Sequence, residues 1–256
     1  MERFVREAAA VAQIELIKLT RDPTELVSRA IQPVLWLVVF GQVLAHVHGI
    51  YTGEIGYLAF ITPGILAQSV LFSAIFYGIA VIWERDLGVV HKLLVSPARR
   101  SSLVFGKAVA AGFRGIVQAV VIYLIAFALQ VTIRQDPQAI FGVVASVLLG
   151  SGIFSTFSLI VACIVKTRER FMGIGQVLTM PMFFASNAIY PLDLMPAWLR
   201  VVARLNPLTY LVDALRGLMI PGGESVHGFA TDFAVLIAVF CALLGIAVRL
   251  YPSLAE

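Results

Sequence analysis

Charge is what this 256-residue chain has least of: Asp, Glu, Lys and Arg together make 13%, against roughly 25% in an average soluble domain. Hydrophobic residues fill 60% of it, more than the interior of a soluble fold can hide. Cysteine is nearly missing too. Cys163 and Cys241 both sit in apolar runs, which excludes a disulfide framework and leaves them as small apolar side chains. A phosphate-binding GxxxxGK[ST] loop is absent, because the single Gly-Lys pair, Gly106-Lys107, lacks the upstream glycine and the following hydroxyl. The chain is therefore not expected to hydrolyse ATP by itself. No acidic residue lies deep in an apolar run, which disfavours a proton or sodium relay. A signal peptide is not expected either, since Glu2, Glu7, Glu15, Asp22 and Glu25 precede any apolar core.

What is present is a set of long uncharged stretches. They run from Ala30 to Gly53, Ile55 to Trp83, Gly115 to Ile133, Pro137 to Val165, Phe171 to Leu192 and Phe233 to Val248. About 20 apolar residues cross a bilayer as a helix, so the expectation is an all-α polytopic membrane protein with six transmembrane spans. The last stretch is the shortest, and Arg249 at its end can snorkel to the interface.

Lysine and arginine divide unevenly between the two sides that six spans define. One side carries Arg3, Arg6, Lys18, Arg21, Arg29, Arg85, Lys92, Arg99, Arg100, Lys107, Arg114, Lys166, Arg168, Arg170 and Arg249, and the other only Arg134, Arg200, Arg204 and Arg216. Positive residues accumulate on the cytoplasmic side, so both termini are expected there. The net charge of +4 is explained by this orientation and by contact with anionic membrane lipids, and no nucleic acid is needed.

Residues 3–20 are too charged to span. Val5, Ala8, Ala12, Leu16 and Leu19 recur at helical spacing while Arg6, Gln13 and Lys18 fall elsewhere, the pattern of a helix lying on the membrane surface. Asp22, Pro23 and Glu25 then form a helix-start signal. Pro33 sits near the beginning of the first span, and Pro63-Gly64 can kink the second. From Glu84 to Lys107 the longest inward-facing segment reads ERDLGVVHKLLVSPARRSSLVFGK. Leu87, Val90, Leu93 and Leu94 keep helical spacing there, and Ser96-Pro97 stops the run, so a short membrane-parallel helix is expected. Glu84 and Asp86, beside Arg85 and Lys92, read as paired surface charges of that loop rather than as an acid/base pair. On the other side, Leu194, Trp198, Leu199, Val202 and Leu205 describe a segment entering or lying along the outer leaflet. Asn206 is a helix cap with Pro207 at the first helical position, and Leu208, Leu211, Val212, Leu215 and Leu218 share one face. Asp213 and Arg216, three apart, are placed to pair on the other face.

Two further patterns have ordinary explanations beside functional ones. The His46-Val47-His48 pair is a metal-ligand spacing without neighbouring ligands, and reads more simply as interfacial histidine. Trp36, Phe40, Phe72, Phe76, Tyr77, Phe154, Phe157, Phe183 and Phe184 can line a path for an amphipathic molecule or serve packing and interfacial anchoring. A membrane-embedded lipid-modifying enzyme using Asp193, Asp213, His227 and Asp232, or a channel or scaffold, stays as an alternative function.

Three features together resemble the ABC-2 type permeases, in particular the branch of daunorubicin-resistance and nodulation-factor export proteins. They are the inward loop (Glu84, Leu93, Leu94, Pro97, Gly106, Lys107), the segment SNAIYPLDLMPAWLRVVARLNPLTYLVDALRG (Pro191, Pro196, Asn206, Pro207, Tyr210, Asp213, Arg216), and the surface helix with six spans. Val95-Ser96-Pro97 departs from the leucine or threonine beside proline in many relatives. The resemblance implies a single permease domain over 1–256, with an interface helix at 3–20, a coupling loop at 84–101 and re-entrant outer helices within 184–232. It also implies a dimer with a second copy or a related permease, and a bacterial plasma-membrane location. Two separate ABC ATPase subunits, which bind ATP and Mg²⁺, would contact the coupling loop, assigned to Glu84, Arg85, Asp86, Leu87, Val90, Leu93, Leu94, Pro97, Gly106 and Lys107. No cofactor, metal or catalytic residue is assigned to this chain. The implied cargo is a hydrophobic or amphipathic molecule: a drug, a lipid or a glycolipid.

Overall fold

Helix is the only regular secondary structure among the described residues of the computed structural model, which cover 2–21, 24–45, 56–165 and 167–255. The Asp22-Pro23 start signal, the His46/His48 pair and Lys166 lie outside them. Eleven helices are described: α1 (Glu2–Arg21), α2 (Thr24–Leu35), α3 (Gln42–Ala45), α4 (Tyr57–Asp86), α5 (Val89–Val95), α6 (Arg100–Ala128), α7 (Pro137–Ile164), α8 (Arg168–Phe184), α9 (Ala197–Leu205), α10 (Pro207–Met219) and α11 (Phe229–Leu250). A π-helical stretch, Trp36–Gly41, joins α2 to α3. It follows Pro33, which has no N–H for the α-helical ladder.

Four helices are long and apolar enough to cross a membrane: α4, α6, α7 and α11 with its 3-10 extension to Leu254. Ser28–Leu44 is a shorter apolar helix, and α8 has 17 residues beginning with Arg168, Glu169 and Arg170. Membrane-length helices are thus four among the described residues, where six uncharged stretches predict six spans.

The 30 residues of α4 give about 45 Å of helix, running unbroken through Pro63. Ile61, Ile65, Leu66, Val70 and Leu71 on it are buried against α7, α8 and α10 through Val143, Val147, Phe154, Phe183, Leu211 and Leu215. Gly64 makes a close approach possible, since a Cβ there would collide with the Ala188 carbonyl. Apolar side chains also point outward, with Phe127 and Phe141 about three-quarters exposed. Such a surface would be a liability in water and suits hydrocarbon.

Three local expectations need correction. On α1 the buried residues are Ala8, Ala12, Glu15 and Leu19, whereas Val5 is exposed. The inward face is thus rotated to include a carboxylate. Glu84, Arg85 and Asp86 form the last turn of α4, and Arg100 to Lys107 open α6, so the loop is far shorter than its charges suggest. Lys107 and Arg114 are buried on α6 upstream of the uncharged stretch that begins at Gly115. Charges paired with other charges can be buried where isolated ones cannot.

Candidate functional site

At one end of the bundle α1 lies along α6 and clamps both flanks of α5. The close approach depends on Gly106, where a Cβ would come within 2.7 Å of the Ala8 carbonyl oxygen and 2.8 Å of Val11 Cβ. Near the start of α1, Arg3 donates to the Pro97 carbonyl (2.8 Å). Glu7 accepts from the Arg99 N–H (3.0 Å) and the Ser102 hydroxyl (2.7 Å). In the last two turns of α1, Glu15 and Lys18 enter a charge cluster with Glu84 of α4 and Lys107 and Arg114 of α6. Lys107 Nζ lies 2.5 Å from Glu84 and 3.7 Å from Glu15. Lys18 Nζ lies 2.5 Å from Glu84 and 3.0 Å from Glu15, and Arg114 is 3.5 Å from Glu15. The Tyr77 ring receives both remaining cations, Lys107 at 5.6 Å and Arg114 at 4.9 Å, a favourable placement for charges cut off from water.

The two α1 carboxylates are tuned by these partners. Hydrogen bonding from the Arg99 N–H and Ser102, aided by Arg3, holds Glu7 down at about 2 from its ordinary 4.5. Burial pushes Glu15 up, but Lys107, Lys18 and Arg114 outweigh it and leave it at about 2. A carboxylate depressed in the folded state contributes stability that is complete above its unfolded value and is lost as pH falls through the folded one. Docking of α1 should therefore weaken between pH 4.5 and about 2. Pepsin cuts within residues 2–21, relative to cuts elsewhere, should rise over that interval, and a flat ratio would contradict the assignment.

The short helix between these pins is α5, entered through Gly88, whose φ of +71° favours glycine. Val90 is fully buried, and Leu93 and Leu94 pack against the cluster formed by Val81, Leu103, Val104, Leu159, Tyr251 and Leu254. Leu87 precedes the helix and is 70% exposed, and Val95 is 87% exposed. The outward surface is thus Leu87, His91, Lys92 and Val95, not the double leucine. Beside it Asp86 bridges Arg85 (2.8 Å) and Arg168 of α8 (2.7 Å), and the Arg168 guanidinium lies 3.8 Å from the Trp83 ring centroid. All ten loop residues singled out by the sequence meet at this end. Arg3, Glu7, Glu15, Lys18, Arg114 and Arg168 are not assigned to this site by the sequence, and Tyr77 is named only among aromatics that can line a path or serve packing. Glu15 alone had a legible signal, standing seven residues after Ala8 on the apolar face.

At the other end, the sequence-predicted cap forms: Asn206 Oδ1 accepts from the Leu208 N–H (3.0 Å), and Pro207 is the first residue of α10. Asn206 Nδ2 also donates to the Met182 and Ala185 carbonyls at 2.6 and 3.1 Å, tying α10 to the end of α8. Asn206→Ala should cost about 1–3 kcal/mol by removing the cap and orphaning buried carbonyls. Asn206→Asp, which keeps the cap acceptor but turns a carboxylate on those carbonyls, should not rescue the thermal midpoint in detergent. Rescue by aspartate would show that the cap alone matters.

Asp213 and Arg216 do not form the expected ion pair. Fully buried Asp213 instead accepts from the Val226 and His227 N–H groups (3.1 and 2.9 Å), and its Oδ2 meets His227 Nδ1 at 2.9 Å. Ser225 links it to Asp232, and ligand atoms of Asp213, His227 and Asp232 lie within 4.8 Å of one another. Asp193 is exposed outside this cluster. Arg216 donates to the Asn187 carbonyl (2.7 Å) and stacks 3.9 Å from the Phe60 centroid. Tyr210 donates to the Arg204 carbonyl (2.8 Å). Pro191 and Pro196 bracket the 3-10 turn Leu192–Leu194, with Pro196 capping α9.

Long apolar helices, with a small helix packed on an apolar cluster beside buried charges at one end of their bundle, define a multi-span helical membrane protein. The chain belongs to the ABC-2 type transporter family, whose model matches residues 6–220. It is 32% identical to a putative transport permease, ycf38, of Cyanophora paradoxa over 84% of this chain and 74% of that one. It is 24% identical to a probable doxorubicin-resistance ABC transporter permease, DrrC, of Mycobacterium tuberculosis, covering 86% and 79% of the two chains. Nodulation protein J of Rhizobium leguminosarum bv. trifolii is 24% identical, over 76% and 74%.

Proposed function

We propose that this chain is the membrane-spanning subunit of an ATP-driven exporter whose ATPase is a separate polypeptide. In this reading Ser28–Leu44 and α8 complete a six-span bundle, α9 and α10 re-enter the outer leaflet, and the α1/α5 end faces the cytoplasm of a bacterial cell. The observation that carries it is α5. Leu87, His91, Lys92 and Val95 are offered to a partner, while the buried side of α5 and its two pinned flanks leave it unable to move without α1, α4 and α6. A helix mounted in that way passes a push on to the bundle as a rigid body.

Two ATPase subunits, carrying ATP and Mg²⁺, would dock on a pair of permeases, and their closure would tilt the bundles and change access to the path between them. The names of the similar drug-resistance and nodulation proteins support a hydrophobic or amphipathic cargo. The clustering of Asp213, His227 and Asp232 favours, as a second reading, an acid/base site for lipid chemistry, although their hydrogen bonds already serve to hold residues 225–227 on α10. The tagged chain, purified in mild detergent, should bring with it a phosphate-loop ATPase in near-equal amount. A single species without ATP hydrolysis in repeated preparations would favour the second reading or a channel.

A further inference from the structure

The lysine and arginine bias leaves few cations at the α9/α10 end, and the structure gathers them. Arg134 is taken by Asp136 at 2.9 Å. Arg200, Arg204 and Arg216 all line one cavity of about 270 Å³, together with Phe60, Asn187 and His227. None of these three guanidiniums is in salt-bridge contact with a carboxylate among the described residues, Asp213 acting on Arg216 only from beyond that distance. Arg200 reaches only the Asp193 and Met195 carbonyls (3.2 and 3.3 Å), and Arg216 only that of Asn187. Arg216 is 9% exposed, and the buried Nε–H groups of both Arg200 and Arg216 have no acceptor.

One acid lines the cavity, and a linked pair, Asp213 and Asp232, stands behind His227. Asp193 lines the cavity without pairing with an arginine, and Asp213 is committed to backbone N–H groups and His227. Three guanidiniums thus line the cavity against a single lining carboxylate, Asp193, and buried N–H donors are left over, an environment that favours an added anion. Asn187 adds a buried side-chain oxygen that lacks a partner; turned about its last torsion, the same amide presents two donors.

We propose that this cavity binds a phosphate oxyanion, the headgroup of an amphiphile. Guanidiniums hold phosphate oxygens by paired N–H donors, and a cavity that is only part-closed admits the ester substituent. The place of the hydrocarbon is set by α9. Arg200 and Arg204, four apart, face the cavity, while Trp198, Val201, Val202 and Leu205 leave an exposed apolar stripe on α9 with helical spacing. Headgroup and chain would thus be received by different faces of one helix. The site goes beyond transport as such and stands whether or not an ATPase docks at α5.

Calorimetry on the full chain in an uncharged maltoside detergent tests it with two probes, inorganic phosphate and dihexanoyl phosphatidylglycerol below its micelle concentration. At least one should bind saturably. Its affinity should fall by about tenfold or more in Arg200→Gln/Arg204→Gln, the loss of charged hydrogen bonds, and stay unchanged in Arg134→Gln. Arg216→Lys, which keeps the charge and loses the fork, should also weaken it. Binding of the lipid alone identifies an amphiphile headgroup, whereas equal binding of inorganic phosphate with the same arginine dependence identifies a free oxyanion as a sufficient ligand. Absence of saturable binding by both, or undiminished affinity in the double variant, overturns the site.

Discussion

Glu84→Ala should destabilise the folded chain by about 3–5 kcal/mol, the usual cost of removing one partner from a buried ion pair. Glu84 is the carboxylate nearest to both lysines, at 2.5 Å from each. Lys18 is half exposed and can turn to water. Lys107 has only 4% of its side chain exposed, and without Glu84 it keeps a carboxylate at 3.7 Å and the Tyr77 ring. Thermal unfolding in detergent, followed by size-exclusion of the surviving monodisperse fraction, reads the loss. Combining it with Lys107→Ala should recover part of the stability, because no charge is then stranded, and the cycle should show a coupling of about 0.5–3 kcal/mol. Strict additivity of the two variants would mean that the pair seen here contributes no interaction of its own.

The second large effect separates the two faces of α5. Leu93→Asp/Leu94→Asp puts carboxylates against Val81, Leu103 and Tyr251, so it should damage the permease itself. Leu87→Asp/Val95→Asp alters only residues that are 70% and 87% exposed. This variant should insert, purify and unfold like the native chain while losing ATPase association and transport by about tenfold or more, as loss of a central apolar contact at an interface does. Native stability together with native transport in that variant would remove α5 as the docking element. Loss of folded protein would instead show that its outward face is structural.

The sequence makes the class of fold plain and the number of spans less so. Uncharged stretches locate α4, α7 and α11 well because no charge interrupts their central turns. The same criterion starts α6 far too late, since Lys107 and Arg114 are acceptable inside a helix once Glu15 and Glu84 neutralise them, and those partners come from distant segments. Local spacing was reliable where the interaction is local, as with the Asn206 cap and Pro207. It was misleading at Asp213 and Arg216, where a three-residue separation permits a pair but the N–H groups of Val226 and His227 make a better one for the carboxylate. Period alone placed Leu87 with Val90, Leu93 and Leu94, yet Gly88, with its positive φ, breaks the helix between them and leaves Leu87 outside. The convergence of Arg200, Arg204 and Arg216 on one cavity had only a faint trace in the sequence: they are cations retained where cations are otherwise rare.

The central claim, that a separate ATPase meets this chain at the exposed face of α5, is tested most directly by crosslinking in native membranes. Val95→Cys should be captured by a short bifunctional thiol–amine reagent in a complex with a phosphate-loop protein, identified by mass spectrometry, whereas Leu205→Cys at the α9/α10 end should not. Equal capture of that protein from both positions, or none from Val95→Cys in transport-active cells, would contradict the account.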